Sequence, residues 1–283
     1  MDARIVVGYD GSVEARNAVD WAAIEAGRTG SELNVVHAYQ LAWPGAEYDG
    51  PVEELTAEAQ DRGDALIAEI VEQLRRRGTG VRVAGTAVHA APAPTLIDLG
   101  DAGARLIVVG NRGRGGLTHL LLGSVSQQVA THARAPVVVV RGQATAGGPV
   151  VAGVDGSPSS DAALGIAFEA ALLRGTWVRA VRTYTRPTVT ALPYTMIETT
   201  ERQMLEASVA GWKEKYSDVT LETRLADGRP AQVLLEASRT AELVVVGSRG
   251  HGGFTGLLLG SVGLQLMHHA ECPVLIVHAP PAS

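Results

Sequence analysis

Two stretches of the chain set glycine and arginine between an apolar run and a helix-like run. They are GNRGRGGLTHLLLGS at 110–124 and GSRGHGGFTGLLLGS at 247–261. Both follow the pattern Gly-x2-Gly-x9-Gly-Ser, on Gly110, Gly113, Gly123 and Ser124 and on Gly247, Gly250, Gly260 and Ser261. The chemistry this suits is anion binding. Glycine lets backbone N–H groups come close to a ligand and permits positive φ. Successive bare amides form a nest for oxyanions. A helix opening near Ser124 or Ser261 adds unpaired N–H groups and the positive end of its dipole. Ser124 either caps that helix or gives its hydroxyl to an anion oxygen. Together these parts make a triphosphate cradle. The competing reading, glycines that only turn the chain, is disfavoured because the spacing is kept twice. Neither GxxxxGK[ST] nor a GxGxxG after the first strand occurs, so the P-loop and dinucleotide-fold loops do not apply.

A second pair of candidates is Asp10 in GYDGS and Asp155 in GVDGS. A carboxylate at the end of a strand accepts hydrogen bonds from a ribose or sits near a base. The plainer alternative is an Asx turn or a charge at a helix start.

These residues lie in a duplicated chain. Asp10 matches Asp155 at an offset of 145, and Gly110 matches Gly247 at an offset of 137, so the first copy is longer in its middle. A repeat of this kind settles a two-domain organisation: residues 1–141, a linker GQATAGGP at 142–149 of small, flexible residues, and residues 150–283. The length of 283 residues agrees, at roughly 100–200 residues per domain.

Within each half, strand and helix patterns alternate. RIVVGYD is a buried strand followed by a helix with Ser12 as N-cap; Ser157, with Pro158 behind it, does the same in the second copy. Ala15, Ala18, Val19, Ala22 and Ala26 recur at helical spacing. LNVVHAY is strand two, and a long helix follows with Ala59, Leu66, Ile70 and Leu74 on one face. VRVAGTAV, RLIVVG and PVVVV are strands three to five, separated by short helices. Continuous apolar strands alternating with helices imply an α/β, doubly wound parallel sheet covered on both faces. Ligands of such sheets sit beyond the carboxyl ends of the strands, where both glycine stretches fall.

The glycine pattern, the Asp after strand one and the closing PV-hydrophobic strand resemble the universal stress protein family, in its tandem, ATP-binding form. The resemblance covers nearly all of both halves. It implies five-stranded parallel sheets of order 3-2-1-4-5. It implies that Gly8, Asp10, Gly153 and Asp155 hold the adenosine and that Ala38 and Thr183 line the adenine. It assigns ribose and phosphates to Gly110, Arg112, Gly113, Arg114, Gly115, Gly116, Gly123, Ser124 and Val125. The matching second set is Gly247, Arg249, Gly250, His251, Gly252, Gly253, Gly260, Ser261 and Val262. It also implies that the fifth strands of the two halves pair with each other. The copies differ at Arg114 against His251 and at His37 against Arg182, so the second site is expected to bind more weakly or with a pH dependence through His251.

The resulting expectation is an ATP-binding stress-response sensor with two adenine-nucleotide sites. Mg²⁺ is held mainly by the phosphates, and no protein metal site or catalytic residue is assigned. No loop lysine reaches a γ-phosphate, so hydrolysis is at most slow. The alternatives are a slow ATPase, a cyclic-AMP-binding protein and a nucleotide-free interaction module. The partners expected are adenine nucleotide and an unidentified regulatory protein, within an internal pseudo-dimer, with a homodimer as a further possibility. The net charge of −6 argues against nucleic acid. No apolar stretch approaches the ~18–20 residues of a membrane span, and MDARIVVGYDGS lacks the layout of a signal peptide. A cytoplasmic setting is expected, which the single cysteine suits. Cys272 reads as a buried structural thiol, and Trp21, Trp43, Trp177 and Trp212 as packing residues.

Overall fold

A computed structural model gives the fold and describes residues 3–41, 52–114, 121–185, 193–250 and 259–279. The chain forms two compact units, Met1–Ala135 and Pro136–Ser283. The first holds β1 (Arg4–Gly8), α1 (Val13–Thr29), β2 (Glu32–Tyr39), α2 (Val52–Arg76), β3 (Val83–His89), α3 (Pro92–Asp101), β4 (Leu106–Gly110) and α4 (Ser124–His132). The second holds β5 (Val137–Val140), β6 (Val150–Gly153), α5 (Pro158–Arg174), β7 (Val178–Tyr184) and α6 (Tyr194–Lys215). It continues through β8 (Leu221–Asp227), α7 (Pro230–Ser238), β9 (Leu243–Gly247), α8 (Ser261–His269) and β10 (Val274–Val277).

In the first unit the strands run parallel in the order β3-β2-β1-β4, with Val6 level with Asn34 and Ile107. In the second, β8-β7-β6-β9-β10 are parallel, in the expected 3-2-1-4-5 order. Strand β5 lies antiparallel to β10, with Val139 opposite Val274. The central strands are buried along their length: Ile5, Val6, Val7, Leu106 to Val109, Val150, Val151 and Leu243 to Val246. That full burial is why they read as unbroken apolar runs.

Helix α1 packs through Ala15, Ala18, Val19, Ala22, Ala23 and Ala26, a small-residue face that brings it close to the sheet. Ser12 caps it, accepting from the Ala15 N–H at 3.2 Å, and Ser157 caps α5 by accepting from the Ser160 N–H at 3.2 Å. The buried stripe of α2 differs from the one expected. It is carried by Gly63, Ile67, Ile70, Val71 and Leu74, while Ala59 and Leu66 are only half-buried. Gly63 belongs to it because Tyr39 lies against the helix, 3.1 Å from where a Cβ would stand.

The segment 142–149, expected to be flexible, is pinned to the second unit. The Gln143 N–H donates to the Glu271 carbonyl and the Thr145 N–H to that of Ala241. The Glu242 N–H donates back to the Pro149 carbonyl. Two of its glycines serve close approach: a Cβ on Gly142, whose φ is +55°, would stand 2.0 Å from the Glu271 carbonyl oxygen, and one on Gly148 2.3 Å from that of Thr240. Small residues permit this strap as readily as they permit a loose linker, which is why composition alone misled.

Candidate functional site

At the carboxyl ends of β1, β2 and β4 the first unit encloses a cavity of about 400 Å³. At the matching edge of β6, β7 and β9 the second encloses one of about 380 Å³. Both fall in the size range of small-molecule sites.

The first cavity draws together Gly8, Asp10, Ala38, Gly110, Arg112, Gly113, Gly123, Ser124 and Val125. The second draws together Gly153, Asp155, Thr183, Gly247, Arg249, Gly250, Gly260, Ser261 and Val262. Arg114 is not among the lining residues. Its guanidinium lies against Gly11, 2.8 Å from that residue's Cβ position, and its backbone N–H is the part that reaches the site. Gly115, Gly116, His251, Gly252 and Gly253 lie outside the described residues.

The glycines of the pattern work by close approach, not by unusual φ. None of Gly110, Gly113, Gly123, Gly247, Gly250 and Gly260 has positive φ; in the adjoining turn it is Gly11 and Gly156 that do, at 80° and 87°. A Cβ on Gly110 would stand 2.7 Å from the Glu14 backbone carbonyl, and one on Gly247 2.5 Å from the Ser159 hydroxyl. The first turns of α1 and α5 thus press directly on the ends of β4 and β9. A Cβ on Gly113 would meet Asp10 Oδ2 at 2.4 Å, and one on Gly250 would meet Asp155 Oδ2 at 2.3 Å.

Asp10 holds this geometry, and Asp155 closes the matching turn. Asp10 Oδ1 accepts from the Ser12 N–H at 2.9 Å and the Ser12 hydroxyl at 2.6 Å, and Oδ2 accepts from the Arg114 N–H at 2.7 Å. Asp155 Oδ1 accepts from the Ser157 N–H at 2.9 Å. Each aspartate closes an Asx turn and also lines its cavity. The far end of each glycine loop is pinned as well, Gly123 N–H to the Asn111 carbonyl at 2.8 Å and Gly260 N–H to that of Ser248 at 2.7 Å.

Gly123 and Gly260, not the serines after them, are the N-caps of α4 and α8, and neither helix has a side-chain cap. Ser124 is the first helical residue, so of its two expected roles capping is withdrawn. An α-helix leaves its first four N–H groups without intrahelical partners, and here no cap hydroxyl takes one. Ser126 joins the site by donating its hydroxyl to the Gly110 carbonyl at 2.6 Å.

Each cavity has an apolar end. Val36, Ala38, Pro92, Leu96 and Val109 form it in the first, and Val181, Thr183, Pro230, Leu234 and Val246 in the second. Val36, Val109 and Ser126 are among the lining residues that the sequence reading missed, as are Pro92 and Leu96, with Pro230 and Leu234. The signal was present: a Pro-x3-Leu at the start of the helix after strand three in both halves.

The arginines differ. Arg112 pairs with Glu14 at 3.1 Å. Ser159 stands where Glu14 does, and its hydroxyl goes to the Arg249 backbone carbonyl at 2.5 Å. Arg182 lines the second cavity and pairs with Glu201 at 2.6 Å. Its counterpart His37 is turned to the Tyr9 carbonyl at 2.8 Å.

Comparison with known proteins agrees with this repeat. The family model described as the universal stress protein family matches residues 1–141 and again 148–278. A universal stress protein of Mycolicibacterium smegmatis is 37% identical over 285 residues, with 96% of each chain covered. One of Mycobacterium tuberculosis is 35% identical over 287 residues, also with 96% of each covered. In structure the chain is similar to a universal stress protein from Archaeoglobus fulgidus, with a TM-score of 0.75, 16% identity and 98% of both chains covered. At that identity the likeness shows the fold.

Proposed function

The chain belongs to the universal stress protein family, and we propose that it is a regulator that binds adenine nucleotide, ATP foremost, at two sites per chain. One observation carries this reading. Each cavity joins an apolar end to an uncapped helix N-terminus and a glycine loop at the carboxyl edge of a parallel sheet. The apolar end suits a base. The amides of Ser124 and Val125, and of Ser261 and Val262, suit phosphate oxygens. Arg112 and Arg249 supply positive charge beside them. Ala38 and Thr183 lie beside the base, and Asp10, bonded to the Arg114 N–H, holds the loop that faces the ribose, with Asp155 at the matching place in the second cavity. Mg²⁺ enters with the phosphates.

The role proposed is that of a sensor. Asp10, the one carboxylate lining the first cavity among the described residues, is already occupied in holding Ser12 and Arg114, which suits a binding site better than a general base aimed at water. Nucleotide then acts by binding one conformation more tightly than another, read by a regulatory protein partner in a cytoplasmic stress response.

The experiment is native mass spectrometry of the dialysed protein with and without Mg-ATP, counting nucleotides per chain. Two are expected. None would overturn the reading. A competition panel including cyclic AMP then ranks the adenine nucleotides.

A further inference from the structure

We infer that the two cavities differ in their preference for ligand charge, with Glu14 and its replacement by Ser159 setting the difference. The inference rests on the nucleotide-binding reading above and adds to it a division of labour between the sites.

Arg112 and Arg249 occupy matching positions in the two glycine loops and line matching cavities. In the first unit the Glu14 carboxylate holds the Arg112 guanidinium at 3.1 Å. Glu14 lies in the first turn of α1, where the helix dipole favours a negative charge. In the second unit the same position is Ser159, neutral, and bonded to the Arg249 backbone. Among the described residues Arg249 makes no ion pair.

An anion entering the first cavity must share Arg112 with Glu14 and approaches a fixed negative charge. An anion entering the second meets the Arg249 guanidinium, on which no carboxylate sits among the described residues, and Arg182, which is already held by Glu201. Partly exposed pairs of this kind are modest in strength, so the affinity difference is roughly two- to fivefold per site. It scales with the charge of the ligand: large for ATP, smaller for AMP, absent for adenosine. The second site is thus the tighter triphosphate site, the reverse of the order expected from sequence. The first discriminates less between charged and uncharged adenine ligands.

Isothermal titration of the full chain with ATP and with adenosine tests this. The wild type should take up two ATP per chain, which a two-site fit separates into a weaker and a tighter step. Glu14→Gln, which keeps the shape and removes the charge, should tighten the weaker step roughly two- to fivefold and leave adenosine binding unchanged. Arg249→Gln should weaken the tighter step by more than Arg112→Gln weakens the other. ATP steps that Glu14→Gln leaves unmoved, or moves equally with adenosine, would overturn the inference while leaving the nucleotide reading standing. Absence of any ATP uptake by the wild type would overturn both.

Discussion

The Oδ2 oxygen of Asp10 accepts the backbone N–H of Arg114 at 2.7 Å, tying the turn after β1 to the glycine loop after β4. The same carboxylate takes both donors of Ser12 through Oδ1. Asp10→Ala leaves three donors without their acceptor and should cost about 1–3 kcal/mol, measured by urea unfolding. Gly113→Ala puts a Cβ 2.4 Å from the same Oδ2 and should break the tie from the other side. The two losses should therefore overlap. The Asp10→Ala/Gly113→Ala double variant should be little less stable than Asp10→Ala alone, because the clash disappears with the carboxylate. Full additivity would refute the tie.

Gly110 is expected to behave differently from Gly113. Its missing Cβ faces the Glu14 backbone carbonyl at 2.7 Å, and backbone cannot rotate out of the way as a side chain can. Gly110→Ala should push α1 off the end of β4 and cost about 1–3 kcal/mol. Thermal unfolding of the ligand-free protein measures it. A loss of nucleotide binding with unchanged stability would show that the glycine serves the ligand and not the packing.

In the strap after β5, Gly142→Ala combines a positive φ of 55° with a Cβ that would stand 2.0 Å from the Glu271 carbonyl oxygen. It should destabilise by about 1–3 kcal/mol. Gly147→Ala, also at positive φ but with nothing within 4 Å, should cost only the backbone strain. Equal unfolding midpoints for the two variants would contradict the pinned strap.

Cys272 is fully buried, and burial is the main cause pushing its thiol up from 9.0 to about 12. The folded protein therefore keeps the thiol protonated where the unfolded chain has lost the proton. Stability from this group is complete below about pH 9 and is lost progressively as the pH rises toward 12. Cys272→Ala should flatten the alkaline side of the stability profile relative to wild type. At pH 8 a thiol reagent should label the wild type only as fast as it unfolds.

How much of this was legible beforehand depended on whether a residue's reason lay in its own neighbourhood. The α1 face of Ala15, Ala18, Val19, Ala22 and Ala26 was legible because helical spacing is local. The cavity-lining glycines were legible because the chain prints them twice. Leu96 and Leu234 escaped because an apolar residue at a helix start looks the same whether it faces a core or a cavity. The glycine spacing also hid its cause: positive φ and close approach both demand glycine, and only the positions of Glu14 and Asp10 decide between them. The Glu14–Arg112 pair joins residues far apart in the chain, so neither stretch alone announces it.

Strand β5 gives the second half a side wall that lies upstream of its own first strand. β10 is bonded to β9 on one side and to β5 on the other. A fragment cut at the strap would leave the β5 side of Val274–Val277 bare, an apolar edge of unspent amides that invites another copy. A cut at the repeat boundary thus parts β10 from a strand it is bonded to. The second domain borrows its last border from sequence that belongs, by descent, to the first.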